Sequence, residues 1–101
     1  MLIVVLFNLK TDAAPDAYEN WAKSTDIPAV NGLGSVKNFS VLRTTGLLGR
    51  DDAAPYQYVE LLDIADMEKL GEDVATETMQ RVAAEFQAFA DNPQFMLTES
   101  I

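Results

Sequence analysis

Residues 2–9, LIVVLFNL, decide how this chain can fold. Seven of these eight residues are apolar, and they occupy both the odd and the even positions of the segment. A strand that packs on helices with one face and meets water with the other alternates apolar and polar residues. A strand that is covered on both faces need not alternate. The segment therefore predicts a central β-strand, and it raises the question of what covers its second face.

The composition is that of a single globular domain spanning residues 1–101. Apolar residues make up 49% of the chain and charged residues 23%, a balance typical of folded rather than disordered proteins. The formal net charge of −9 argues against a nucleic-acid partner, because phosphates require a basic surface. It also argues against an anionic membrane surface. We therefore expect no nucleic-acid and no membrane partner.

The sequence contains neither cysteine nor histidine. Disulfides, thiol catalysis and histidine-based triads are therefore excluded, and a zinc or copper site is not expected without these ligands. The loop GLLGR, residues 46–50, has too few glycines to cradle a phosphate group. We expect neither a metal nor a cofactor, so any acid–base chemistry must use carboxylates, tyrosine, lysine or water.

The N-terminal segment does not resemble a targeting signal. It lacks a basic region before the apolar run and a small-residue cleavage site after it. It is also much shorter than the roughly 20 residues that a membrane span needs. We expect a cytoplasmic protein.

Hydrophobic periodicity and turn residues predict the element order β-α-β-β-α-β. The first helix should end before Pro28, because proline disfavours helical geometry in the residue that precedes it. Asn92-Pro93 should end the second long helix. The predicted strands are 2–9, 36–45, 56–64 and 94–101, and the predicted helices lie within 11–27 and 74–91, with a short helical turn at 65–73.

The compact solution for this order is a ferredoxin-like α+β fold. Right-handed crossovers then predict an antiparallel sheet with the strand order 4-1-3-2 and both helices on one face. The third strand is also apolar on both faces, with Val59 and Leu61 on one and Tyr58 and Leu62 on the other. If this sheet face were open to water, the apolar patch would be larger than the patches that soluble monomers normally expose. We therefore expect a homodimer in which two sheets face each other as an α+β barrel.

The chain resembles the dimeric α+β barrel superfamily over nearly its whole length, and two segments carry the resemblance most clearly. They are YENWAKSTDIPAVNGLGSVKNFSVLR, residues 18–43, and PYQYVELLDIADMEKL, residues 55–70. The first is similar to EthD-like and antibiotic-biosynthesis monooxygenase-like proteins, in which an aromatic residue and a tryptophan precede a His-x-Pro. Here Tyr18, Trp21 and Pro28 match that pattern, and Asp26 stands where those relatives often carry histidine. The REDY-like, or HapK-like, group associated with prodiginine biosynthesis resembles the chain most.

Glu60 is the polar residue on which the sequence is most informative. It lies between Val59 and Leu61 on a predicted central strand, where a charge is costly unless it is paired. A buried carboxylate with a raised pKa is a common general acid or base. The alternative is a structural partner for Lys37 or Arg43, or for a backbone group of a second subunit.

Further candidates follow from the predicted topology and the resemblance. Asp26, Asn38 and Glu60 should lie towards one end of the sheet, with Arg43 and Tyr58 towards the other. Asp26 is either a turn residue or, by the resemblance, a second carboxylate that shares acid and base roles with Glu60. The candidate ligand-binding residues are Tyr18, Trp21, Asn38, Arg43 and Tyr58, and a cavity would have an apolar wall formed by Met67, Met79, Phe86 and Phe89.

The resemblance implies a small cofactor-free protein of secondary metabolism. It would bind or transform an apolar aromatic or heteroaromatic intermediate, such as a pyrrole on a prodiginine-type pathway. The alternative is a non-catalytic carrier that shields an intermediate, or a module that assembles with a biosynthetic partner enzyme. An enclosed cavity with a carboxylate pointing into it would favour an enzyme, and a packed interior with an exposed apolar patch would favour an interaction module.

Overall fold

The computed structural model describes residues 1–101. The chain forms four strands and four α-helices, and one π-helical segment joins the first two helices. The elements are β1 (Leu2–Leu9), α1 (Pro15–Trp21), the π-helical segment (Ala22–Asp26), α2 (Ile27–Asn31), β2 (Val36–Arg43), β3 (Tyr58–Ile64), α3 (Met67–Val74), α4 (Glu77–Phe89) and β4 (Ala90–Leu97).

The four strands form one antiparallel sheet in the order β2-β3-β1-β4. This is the predicted order, and the ferredoxin-like α+β fold is confirmed. At the sheet centre, Glu60 of β3 is opposite Val5 of β1 and Val41 of β2. Glu60 therefore has a sheet neighbour on each side and cannot reach water along the sheet.

The helices cover one face of the sheet, and β1 shows the consequence directly. Ile3, Val5, Phe7 and Leu9 are buried, while the residues between them are partly or largely exposed. The apolar side chains of the other face include Leu2, which is 39% exposed, and Leu42, which is 47% exposed. Both faces of the central strands are thus apolar, but the chain supplies a cover for only one.

The first helical region does not end before Pro28, so this prediction is wrong. It continues to Asn31 through the π-helical segment and α2, in which Pro28 occupies the first turn. In an α-helix the proline ring would clash with the carbonyl four residues earlier and would leave it without a donor. The wider π-helical turn removes that conflict, because its hydrogen bonds span five residues.

The predicted helix 74–91 is wrong at both ends. Thr76 caps α4, its Oγ1 accepting a hydrogen bond from the Met79 backbone N–H at 3.3 Å, so α4 begins only at Glu77. Val74 is the last residue of α3, and Ala75 and Thr76 join the two helices. At the other end, β4 begins at Ala90, before Pro93. An edge strand tolerates proline, because one side of it needs no ladder hydrogen bonds, and the register shift in this part of the β1–β4 pair accommodates Asn92 with a φ of 48°.

None of the helices combines the length and the hydropathy that a membrane span requires.

Candidate functional site

A cleft of about 160 Å³ lies between the sheet and the helices. Nine of the twelve residues that line it are apolar. Two carboxylic acids, Asp26 and Glu60, are the only titratable side chains in this lining. The apolar surface is formed mainly by Phe39, Leu62, Met79, Val82, Phe86 and Phe95. The cleft opens to solvent beside Phe95, which is 55% exposed.

Glu60 enters the cleft because successive side chains of β3 point to opposite faces of the sheet. Tyr58, Glu60 and Ile64 all project to the helix-covered face and are buried, and Glu60 is only 4% exposed. Its Oε2 accepts a hydrogen bond from the Tyr18 hydroxyl at 3.2 Å. Neither Lys37 nor Arg43 forms an ion pair with it. Burial, and then the charge of Asp26, raise the pKa of Glu60 to about 8, against the effect of the Tyr18 hydrogen bond.

Asp26 reaches the same cleft from the helical layer. It is the last residue of the π-helical segment and is 5% exposed. Its carboxylate accepts no hydrogen bond from the chain and forms no ion pair. Burial alone raises its pKa to about 6. π-Helical turns often occur at functional sites, and here the turn places a carboxylate that has no partner in the chain on the wall of the cleft.

Two carboxylic acids with different pKa values can divide acid and base roles. Glu60 has the higher of the two raised pKa values, so Asp26 ionises first as the pH rises and Glu60 keeps its proton longer. With Asp26 ionised and Glu60 protonated, Asp26 can accept a proton from a bound molecule, while Glu60 can donate one. The arrangement therefore suits proton transfer to and from an apolar ligand.

Tyr18 holds Glu60 in position from α1. It is fully buried, with its ring centroid 4.8 Å from that of Tyr58 and 5.5 Å from that of Phe7. Burial and the neighbouring Glu60 raise the pKa of Tyr18 far above its usual value. The hydroxyl thus remains a neutral hydrogen-bond donor at any physiological pH.

Tyr58 and Arg43 belong to a second cluster, on the other side of Tyr18. The Tyr58 hydroxyl donates to Glu19 Oε2 at 2.7 Å. Arg43 binds both carboxylate oxygens of Glu19, with Nε 2.9 Å from Oε2 and Nη2 2.6 Å from Oε1. These bonds lower the pKa of Glu19 to about 2, Arg43 having the larger effect. The cluster faces a separate groove near the exposed loop that follows β2.

Trp21 and Asn38 lie outside the cleft. The Trp21 indole Nε1 donates to Glu85 Oε1 at 3.0 Å and packs on Phe89, so it joins α1 to α4. Asn38 is exposed at the partner position of Asp63, where its amide donates to Ser40 Oγ at 3.0 Å. Of the predicted ligand-binding residues, the structure therefore brings only Tyr18 together with the two carboxylic acids.

Sequence reasoning missed several residues of these sites. Nothing in the local pattern of Glu19 distinguishes it from a solvated helix carboxylate. Phe95 lines the cleft from an edge strand, and Phe39 lines it from β2. Of the predicted apolar wall, Met79 and Phe86 line the cleft. Met67, which is 42% exposed, and Phe89, which packs on Trp21, do not.

No group of three or more side chains is arranged to hold a metal ion. The two carboxylic acids of the cleft are two of the six or more oxygen ligands that a calcium ion would need. The cleft residues offer hydrogen bonding and proton transfer.

The model of the family described as "REDY-like protein HapK" matches residues 1–101. Among solved structures, HapK from Hahella chejuensis is 27% identical, with a TM-score of 0.73 over 100% of this chain and 95% of that chain. No curated protein matches the sequence.

Two further structures are similar in fold. An EthD-family protein of Bacillus halodurans is 16% identical, with a TM-score of 0.72 over 99% of this chain and 97% of that chain. SnoaB, a cofactor-independent oxygenase from Streptomyces nogalater, is also 16% identical, with a TM-score of 0.70 over 99% of this chain and 93% of that chain. The resemblance to these groups that the sequence indicated is confirmed.

Proposed function

Because this chain belongs to the family of the REDY-like protein HapK, we propose that it binds and transforms an apolar aromatic intermediate of secondary metabolism by proton transfer. Asp26 is the base and Glu60 the acid in this proposal. The observation that carries it is the pair of almost fully buried carboxylic acids in one apolar cleft. Burying two such groups destabilises a fold, so function explains their presence in the cleft better than packing does.

The apolar lining defines the shape of the ligand. Phe39, Phe86 and Phe95 offer aromatic surfaces that suit a flat ring system. The volume of about 160 Å³ fits a molecule of one or two rings. The family resemblance supports a heteroaromatic compound such as a pyrrole on a prodiginine-type pathway. Proton transfer within this cleft requires no electron carrier, so we propose a reaction without a cofactor.

Enolisation of 2-tetralone, a bicyclic aromatic ketone, tests both roles with one probe. Asp26 would take a proton from C1 while Glu60 gives its proton to the carbonyl oxygen, and the reverse step in D2O would return a deuteron to C1. Loss of the C1 proton signal in NMR measures the rate. General acid–base catalysis contributes typically two to four orders of magnitude, so Asp26→Asn should slow the exchange by about a hundredfold or more.

Asp51→Asn is the matched control, because it removes the same charge from an exposed loop. It should exchange 2-tetralone at the rate of the unmodified protein. Exchange no faster than in buffer, or an unchanged rate in Asp26→Asn, would refute the catalytic proposal. Binding of 2-tetralone without exchange would instead favour the alternative of a non-catalytic carrier, which would use the same cleft.

We also propose that the helix-free face of the sheet packs against a second copy of the chain. Leu2, Leu42 and Met96 are each between 39% and 47% exposed on this face. The less exposed Val4, Leu6, Val59 and Leu61 make the apolar surface continuous across the central strands. A patch of this kind is typical of an interface, and its self-complementary apolar chemistry suits a symmetric dimer.

A further inference from the structure

We propose that the cleft selects a positively charged nitrogen base, whose protonated nitrogen binds the Asp26 carboxylate. This inference rests on the proposed function of the cleft and adds the charge of its ligand. It would make the preferred molecule an aromatic ring system that carries an ammonium, iminium or protonated heterocyclic nitrogen.

Asp26 has no bonding partner in the folded chain. Asp26 is more than nine-tenths buried and lines the cleft, and its carboxylate has no hydrogen-bond donor and no cation within the chain. Buried carboxylates in folded proteins are nearly always hydrogen-bonded or paired. A group left open in this way has its bonding capacity directed at whatever enters the cleft.

The positive charges of the chain lie away from the cleft. None of the seven lysines and arginines lines the cleft. Arg43, Arg50 and Lys69 are paired with carboxylates elsewhere, and the other four are exposed at the surface. The missing cation therefore has to come with the ligand.

A ligand that fills the cleft changes the surroundings of Asp26. An apolar ring seated against Phe39 and Phe86 displaces water from around Asp26, which makes an unpaired carboxylate still more costly. A protonated nitrogen turns that cost into a charge-assisted hydrogen bond. A ligand with its own carboxylate would add a third acidic group next to Asp26 and Glu60, with no cation to offset it.

Three indole compounds of nearly equal size test this selection at pH 7. Tryptamine is a cation, tryptophol is neutral and indole-3-acetate is an anion, so isothermal titration isolates the effect of charge. A hydrogen bond to a charged group corresponds to roughly a ten- to hundredfold change in affinity. Tryptamine should therefore bind about ten- to a hundredfold more tightly than tryptophol, and indole-3-acetate should bind more weakly than both.

The variant Asp26→Asn should remove the preference for tryptamine over tryptophol, while Asp51→Asn should retain that preference. Thermal melting of both variants verifies that they are folded. Equal affinities for the three compounds, tighter binding of indole-3-acetate, an unchanged preference in Asp26→Asn, or no binding at all would each overturn the inference. 2-Tetralone carries no charge, so its exchange does not depend on this selection and tests the proposed function separately.

Discussion

The hydroxyl of Tyr18 lies 3.2 Å from Glu60 Oε2 and donates a hydrogen bond to it in the buried interior. The two residues are 42 positions apart and come from different layers of the fold, Tyr18 from α1 and Glu60 from β3. This is the only hydrogen bond that the chain provides to the Glu60 carboxyl group. It therefore fixes the orientation of one cleft residue and leaves the second oxygen free for a ligand.

Tyr18→Phe should raise the pKa of Glu60 further, because it removes a hydrogen bond that stabilises the ionised carboxylate. The free energy of unfolding should fall by about 1 kcal/mol, the usual value of one buried hydrogen bond. An NMR titration of the Glu60 carboxyl carbon measures the first effect and chemical denaturation the second. Tyr56→Phe, which removes a hydroxyl without a partner in the chain, should change neither.

Glu60→Gln should slow the exchange of 2-tetralone by about two orders of magnitude, because the amide keeps the shape but cannot donate the acidic proton. The fold should survive, because the change leaves no cation unpaired. The melting temperature at pH 8 should rise, because the amide cannot ionise in the buried site. A lower melting temperature would instead identify Glu60 as a structural partner of a group outside the chain. Unchanged exchange together with unchanged melting would contradict both roles.

The stability of the protein should fall as the pH rises from about 5 to 8. Both cleft acids have folded-state pKa values above their ordinary ones, about 6 against 3.8 for Asp26 and about 8 against 4.5 for Glu60. In that window the folded state binds more protons than the unfolded state, so raising the pH favours unfolding. Melting temperatures across the window measure the slope. Asp26→Asn combined with Glu60→Gln should flatten it.

Below about pH 4.5 the stability should fall as the pH falls, because Arg43 and Tyr58 lower the pKa of Glu19 to about 2. The stability from this carboxylate is complete above about pH 4.5 and is lost as the pH falls towards 2. Glu19→Gln should therefore reduce the difference in unfolding free energy between pH 5 and pH 3. Glu77→Gln, at an exposed position of α4, should leave that difference as it is.

Leu61→Glu should dissociate the proposed dimer, because it places a charge in the middle of the helix-free face. Light scattering at micromolar concentration should give twice the mass of the chain for the unmodified protein and a smaller mass, or an unfolded chain, for the variant. Thr78→Glu adds the same charge to the exposed surface of α4 and should remain dimeric. A monomeric mass for the unmodified protein would refute the proposed dimer.

Much of the fold was predictable because it depends on periodicity along the chain. The two-sided apolarity of residues 2–9 placed β1 at the sheet centre, and the element order then allowed few topologies. The errors occurred where local rules competed with packing. Pro28 is a helix breaker by its own chemistry, but the π-helical turn before it let the helix continue. Pro93 stops a helix, but the edge position of β4 admits it into a strand.

The candidate site divides in the same way. The sequence by itself determined that Glu60 is a charge on an apolar central strand, because the contrast with Val59 and Leu61 is local. Only the tertiary structure decided that Asp26 shares its cleft, that Tyr18 donates to it, and that Arg43 and Tyr58 bind Glu19 instead. The physical reason is that hydrogen bonds and burial depend on the separation and orientation of elements in space. Those quantities follow from how helices pack on the sheet, and no spacing along the chain encodes them.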